Sequence, residues 1–355
     1  MRIGIPKEIK TLEGRVGLIP AACADLVRAG HEVYVETGAG DKSGYPDAAY
    51  RELGVRISED AAALYGSAEL VIKVKEPQPA ELGLLRADHL LFCYLHLAAL
   101  PELAHGLQQI GLTAIAWETV EESGHLPLLA PMSDVAGRLS IQIGAHLLHQ
   151  PMGGRGILLG GLPAAPRGHV VVVGGGVVGT NAAVVASALG ARVTVFDRKR
   201  DKLERLRALG PNVTGLYPYS DTLAQAVSEA DLLVGAVLVP GARTPHLVSA
   251  DMVRTMKQGS VIIDVAVDQG GCVETTRPTT YDAPTFLWEG VVHFGVTNMP
   301  GAVPRTASQA LSASLIPFVK VLAAGGWEAD ARLLSGVNVR AGKIVHPAVA
   351  AALVN

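Results

Sequence analysis

The chain has 355 residues, and its 30 Lys+Arg against 33 Asp+Glu give a formal net charge of −3. That length predicts two domains or three, and the near-neutral balance argues against nucleic acid or an anionic membrane surface as the main partner. With 49% hydrophobic and 18% charged residues the chain is too apolar to be disordered, and its 5% aromatic content leaves the core to Ala, Val and Leu, as in a parallel sheet covered by helices.

The N-terminal MRIGIPKEIK is charged from its second residue and lacks an apolar stretch with a small-residue cleavage site. The expectation is no secretory signal and a reducing, cytoplasmic setting. Cys23, Cys93 and Cys272 are odd in number, far apart and without a C-x-x-C pair, so neither a disulfide framework nor a Cys-rich zinc site is expected. No metal is assigned.

In chain order, RIGI, EVYVE, ELVIKV, HLLFCY and LTAIAW read as buried strands. PAACADLVRAG, PDAAYRELG, PAELGLLR and LPELAHGLQQIG read as the helices between them, several stopped by Gly. MSDVAGRLSIQIGAHLLHQ places Val135, Leu139, Ile143 and Leu147 at helical spacing after Ser133 or Asp134 as a cap, and predicts a long helix leading into a second domain. The pattern restarts with VVVV, RVTVF, DLLVGAVL, SVIIDVAV and VHFGV as strands. Val170 to Ala191 carries no formal charge and is long enough to span a bilayer, but its glycines favour strand, turn and helix. NMPGAVPRTASQALSASLIPFVKVLAAGG reads as loop then helix, returning to the first domain. No tandem repeat is present. Strands alternating with helices predict an α/β fold. The reading is two doubly wound, Rossmann-like domains with parallel sheets, linked by long helices around a central cleft. Residues 1–128 with 306–355 form a substrate domain, and 129–305 a nucleotide-binding domain.

Gly174, Gly176 and Gly179 in VVVVGGGVVGTNAAVV fit G-x-G-x-x-G between a strand and a helix. The first glycine permits the tight turn, the second lets backbone approach a pyrophosphate, and the third lets helix pack on strand. The helix N-terminus favours the phosphates. Asp197, closing the next strand, would accept hydrogen bonds from a ribose 2′-OH and repel a 2′-phosphate, which favours NAD over NADP. Arg198 and Lys199 weigh the other way.

Ligands of open α/β sheets bind beyond the carboxyl ends of the strands. Lys75 follows ELVIKV; Tyr94 and His96 follow HLLFCY; Asp268 follows SVIIDVAV; Thr297 and Asn298 follow VHFGV. Each has a plain alternative. Lys75, and Lys73 on the same face, also read as solvated strand ends. His96 also reads as a hydrogen-bonded core histidine, Asp268 as a turn residue, and Arg15 in LEGRVGLIP as a surface arginine. Asp264, mid-strand, reads as structural. If the two domains face each other, the polar groups converge on one cleft containing the nicotinamide.

The segments IGIPKEIKTLEGRV, ELVIKVKEP, LFCYLHLA, LLAPMSDVAGR, the glycine turn, GAVLVPGARTPHLVS, VIIDVAVDQGGC, RPTTYDAPTF and NMPGAVPRTAS resemble the alanine dehydrogenase family, and the match runs essentially end to end. The resemblance implies oxidative deamination of L-alanine to pyruvate and ammonium with NAD, the reverse amination, and a homohexamer. It implies that Arg15 and Lys75 hold the substrate carboxylate and carbonyl, with Asn298 also touching substrate. His96 is implied as the acid/base group, and Asp268 as the partner that handles water or ammonia. Ser133, Asp197, Lys202, Ser220, Val237, Leu238, Val265, Asp268, Arg277, Asn298 and Met299 are implied as cofactor contacts beside the three glycines. An imidazole near its unperturbed pKa of about 6.5 suits proton transfer at neutral pH. Glu118 is a lone candidate for a divalent ion. Two rivals stand beside this reading: the same chemistry on another small amino acid or cyclic imine, and the soluble nucleotide-binding part of a proton-translocating transhydrogenase, for which the retained His96 counts against.

Overall fold

The computed structural model describes residues 1–237 and 244–354. The chain divides into one unit of residues 1–132 with 300–355 and a second of residues 133–299.

In the first unit β1 (Arg2–Ile5), β2 (Glu32–Glu36), β3 (Arg56–Ser58), β4 (Leu70–Ile72), β5 (Leu90–Cys93) and β6 (Thr113–Ala116) pair in parallel in the order β6-β5-β4-β1-β2-β3. Strands β4 and β5 are buried at every residue because helices cover both faces, which is why they read as unbroken apolar runs. The neighbours β1 and β4 form the point where strand order reverses.

The second unit repeats the plan. Strands β7 (His169–Val173), β8 (Arg192–Phe196), β9 (Val213–Leu216), β10 (Leu232–Gly235), β11 (Val261–Asp264), β12 (Thr285–Trp288) and β13 (Val291–Phe294) form a sheet in the order β12-β13-β11-β10-β7-β8-β9. Its reversal lies between β7 and β10. Val170 to Ala191 is strand, turn and helix, as expected, with the helix at Val177–Ala188.

Both sheets were expected to be parallel, and both are mixed at one edge. Strand β12 pairs antiparallel with β13. The last strands, β14 (Val337–Arg340) and β15 (Lys343–Ile344), lie antiparallel beyond β6 in the first sheet. The reason is local: Glu289-Gly290 and Ala341-Gly342 all have positive φ and close two-residue hairpins.

The long helix runs over Ala130–Leu147, so Ser133 and Asp134 lie in its first turns and neither is its cap. Asp134 instead accepts a hydrogen bond from Asn181 Nδ2 at 2.7 Å. The helix Pro304–Ala324 belongs to the first unit. It is long and apolar enough to cross a membrane, but half of its apolar window is buried in the unit. Its Ser308 and Ser312 hydroxyls accept the backbone N–H groups of Val16 and Ile19 at 3.0 and 2.8 Å, which ties down the segment carrying Arg15.

Candidate active site

The reversal point of the first sheet carries a buried charge cluster. Glu8 follows β1 and Lys73 follows β4, and their side chains pair at 3.1 Å with the lysine wholly out of solvent. Lys73 also lies 3.3 Å from Glu81 and donates to the carbonyls of Lys75 and Glu76 at 3.0 and 3.4 Å. Glu8 accepts from the N–H of Val74 at 2.5 Å and of Lys75 at 3.3 Å. Burial pushes the Glu8 carboxyl above its usual range despite the facing Lys73. Lys73 therefore anchors the strand end and is not the solvated residue that spacing allowed.

Lys75 is half-buried, and its ammonium makes no ion pair or hydrogen bond among the described residues. Burial, and then the Arg15 cation, hold it below the ordinary lysine range. Arg15 is buried and not the surface arginine that composition allowed. Its Nε and Nη2 meet the two Glu13 oxygens at 2.7 and 2.5 Å, and Nη1 faces the Met132 sulfur at 3.1 Å. One edge of the guanidinium fork is thus taken by Glu13, which offsets the cost of burial and raises the Arg15 pKa.

His96 follows β5 at φ +50, in the left-handed region that non-glycine residues rarely occupy. Its backbone N–H donates to Glu118 at 2.6 Å, and the Leu95 N–H reaches both oxygens of that carboxylate at 3.2 Å. The imidazole is half-buried and stacks on Tyr94 at 5.8 Å and 11°. The Tyr94 hydroxyl donates to the Leu128 carbonyl at 2.6 Å, and burial pushes its pKa up. Neither ring nitrogen of His96 has a hydrogen-bond partner among the described residues, so His96 is not the satisfied core histidine. Glu118 is occupied with backbone, and no group of three or more His, Cys, Asp or Glu suited to a metal occurs among the described residues.

In the second unit the glycine turn has the expected geometry. Gly174 has φ +105, and a Cβ there would come within 2.6 Å of the Ala236 carbonyl, at the β7/β10 reversal. A Cβ on Gly179 would fall 1.8 Å from the Gly174 carbonyl, whereas one on Gly176, the N-cap of the following helix, would meet open space. That open face is where a pyrophosphate needs to approach backbone. Asp197 accepts from the N–H groups of Gly175 and Lys199 at 2.9 and 2.8 Å and pairs with Lys202 at 3.2 Å. Burial works against its charge, and these donors more than offset it, so its pKa is lowered.

Asp268 is exposed on a short turn, Val267–Gln269, beyond β11. The loop bearing it is wrapped around Asp264, which closes β11 and does not sit mid-strand. Buried Asp264 accepts from the N–H groups of Ala266, Cys272 and Val273 at 3.1, 2.8 and 2.9 Å and from the Thr276 hydroxyl at 2.9 Å. Val265 is half-buried in the same loop, and Val237 follows β10. Arg277 is exposed over the Phe286 ring at 4.5 Å. Asn298 is half-buried, and Met299 is buried and accepts from the Tyr281 hydroxyl through its carbonyl at 3.1 Å. Ser220 is exposed at the start of the helix Ser220–Glu229, and Ser133 is half-buried. Leu238 lies outside the described residues.

Residues 4–136 match the family model for the alanine dehydrogenase/PNT N-terminal domain, and 140–347 that for the C-terminal domain. The chain belongs to the alanine dehydrogenase/PNT family. The alanine dehydrogenases of Halomonas elongata and Bacillus subtilis are each 50% identical to it, over 99% of this chain and 96% and 94% of theirs. A solved L-alanine dehydrogenase superposes with a TM-score of 0.96 at 54% identity, covering 99% of both chains. A transhydrogenase from Sinorhizobium meliloti superposes at 0.85 and 25% identity, covering 98% and 100%.

Sequence reasoning gave this family member its cations and imidazole but overlooked Glu8, Glu13 and Glu81. No reading was attached to the acids of KEIKTLEGR; a signal did exist, since Glu8 lies close in sequence to the end of β1 and Glu13 to Arg15 itself.

Proposed function

We propose that this chain is an NAD-dependent L-alanine dehydrogenase, converting L-alanine, water and NAD⁺ to pyruvate, ammonium, NADH and a proton, and the reverse. The observation that carries the reading is the set of polar groups beyond β1, β4 and β5: a buried arginine, a lysine without an ionic partner among the described residues, and an imidazole with both nitrogens uncommitted among the described residues. That is the equipment a 2-oxo acid and its amine need. Near-identity of length with relatives named for alanine supports it.

In this reading Arg15 anchors the substrate carboxylate, which its planar guanidinium suits. Lys75 binds the carbonyl oxygen and polarises it. A nicotinamide held there would supply the acceptor, and in reverse the donor, of the substrate Cα hydride. The rest falls to side chains. His96 removes a proton from the water that attacks the iminium carbon and delivers it to the departing nitrogen. Asp268 orients that water and stabilises the cationic nitrogen, and Asn298 contacts both substrate and cofactor. The glycine turn, with Ser133, Lys202, Ser220, Val237, Leu238, Val265, Arg277 and Met299, binds the nucleotide, and the Asp197 carboxylate selects NAD through its ribose hydroxyls. We further propose a homohexamer acting in the cytoplasm; the buried, unpaired cysteines suit a reducing compartment.

Absorbance at the NADH band tests this. L-alanine with NAD should produce NADH, the same mixture with NADP little, and pyruvate with ammonium should consume NADH faster than glyoxylate or 2-oxobutyrate. Binding of NADH with no turnover on any of these would overturn the reading in favour of a transhydrogenase-type component. Light scattering after gel filtration checks the hexamer.

A further inference from the structure

Three acidic or basic groups, Glu8, Lys73 and Glu81, are buried together where the first sheet reverses. Such burial is costly, and apolar residues of similar volume would stabilise the fold as well or better. Apolar residues could not, however, bond to backbone. Beyond Ile72 the β5 side of the strand continues its ladder, with Lys73 N–H on the Phe92 carbonyl at 3.3 Å and Tyr94 N–H on the Val74 carbonyl at 3.2 Å. On the other side β1 has ended at Ile5, and side chains take over the backbone groups. Glu8 accepts the N–H of Val74 and Lys75, and Lys73 donates to the carbonyls of Lys75 and Glu76. The peptide groups on both sides of the Lys75 Cα are therefore held by the two ends of one ion pair.

We propose that Glu8 and Lys73 are positioning residues for Lys75, fixing its backbone so that its ammonium is presented to the 2-oxo acid. This rests on the proposed role of Lys75 as a substrate ligand. Glu81 steadies the pair from behind: it accepts from the Tyr65 hydroxyl at 3.0 Å and the Gln78 N–H at 2.7 Å while lying 3.3 Å from Lys73. Neither Glu8 nor Lys73 touches substrate in this scheme. Their effect passes wholly through Lys75, and that separates positioning from general support of the fold.

The test is a kinetic double-mutant cycle on the full chain, with Lys73→Met, Lys75→Ala and the double variant, and Glu8→Gln as a second route should Lys73→Met fold poorly. Steady-state kinetics with pyruvate at saturating NADH and ammonium give kcat and KM, and NADH fluorescence gives nucleotide affinity. Lys73→Met should lower kcat/KM for pyruvate about ten- to hundred-fold, as loss of about 1 Å in placement does, with NADH affinity within about twofold. In the Lys75→Ala background the same change should have almost no further effect. Glu8→Gln keeps one oxygen for the Val74 and Lys75 N–H groups and should lose less than Glu8→Ala. If Lys75→Ala is impaired and Lys73→Met multiplies that deficit, the pair is only scaffolding and the proposal is overturned. If Lys75→Ala binds and turns over pyruvate normally, the substrate role of Lys75 falls, and the proposal with it.

Discussion

The backbone N–H of His96 lies 2.6 Å from a carboxylate oxygen of Glu118, and that bond holds a histidine in a left-handed conformation. A non-glycine residue there costs on the order of 1–3 kcal/mol and persists only where its surroundings enforce it. Glu118 enforces it by gathering the Leu95 and His96 N–H groups on one side chain. Glu8 acts alike on Val74 and Lys75, and Asp264 on Ala266, Cys272 and Val273. Glu118→Ala should therefore lower kcat about ten-fold or more while NADH binds normally, and Glu118→Gln should fall between. Wild-type kcat in Glu118→Ala would show that the turn holds His96 without it.

The imidazole and the Asp268 carboxylate are assigned to proton handling and to water; Asp268 is also an expected nucleotide contact, so only His96 is expected to leave nucleotide binding untouched. His96→Ala and Asp268→Ala should each lose turnover by about 10²–10⁴-fold, the usual worth of a positioned acid/base group. NADH fluorescence titration should return nearly the wild-type affinity for His96→Ala. A variant of either residue with near wild-type kcat has been given the wrong role.

Lys75 is useful to a carbonyl oxygen only while protonated. Burial and the Arg15 cation hold its pKa below the ordinary value of 10.5. Binding of pyruvate should then weaken as pH rises through that lowered pKa, seen as a fall in kcat/KM on the alkaline side. Lys75→Ala should lack this limb. A wild-type profile flat up to the ordinary lysine range would contradict the assignment.

The glycines of the turn separate folding from binding. A methyl on Gly179 would sit 1.8 Å from the Gly174 carbonyl, backbone against backbone, so helix and strand must part. Gly179→Ala should lower both the melting temperature and NADH affinity. Gly176→Ala meets nothing within 4 Å beyond its own chain neighbours, so it should melt like wild type yet bind NADH at least about ten-fold more weakly. Equal losses of stability in the two variants would remove the argument that Gly176 is kept for the ligand.

Much of this was legible because the interior strands are apolar on both faces and the turn glycines are needed for local steric reasons. Strand β12 was missed because Leu287 is 67% exposed and its hairpin turns on Glu289-Gly290 without the usual Asn-Gly or Asp-Gly. Ala341-Gly342 hid β14 and β15 in the same way. The helix Ala130–Leu147 starts ahead of both expected caps, Ser133 and Asp134, and the Asp134 carboxylate bonds Asn181 from another helix instead of capping its own. The carboxylates that organise the site were invisible for a related reason. Glu8 meets Lys73, and Glu118 meets His96, only after the sheet has formed, and no local spacing records those pairings.

His169, at the start of β7, gives the second unit a pH-dependent stability. It is buried; Arg192 Nη2 donates to its Nδ1 at 2.8 Å, and its Nε2 bonds the Thr194 hydroxyl at 2.9 Å. Since arginine can only donate, Nδ1 must be the unprotonated acceptor, and the ring is neutral. Burial, then the Arg192 cation, lowers its pKa to about 4 from 6.5. The unfolded chain therefore binds a proton at higher pH than the native one does. Stability is full above about 6.5 and falls as pH drops toward 4, by at most about 3 kcal/mol from this group. His169→Asn or His169→Gln, neutral at every pH, should flatten that part of the stability curve while lowering its plateau. Chemical denaturation between pH 7 and 4 measures it, and an equal acid slope in wild type and variant would assign the loss to other groups.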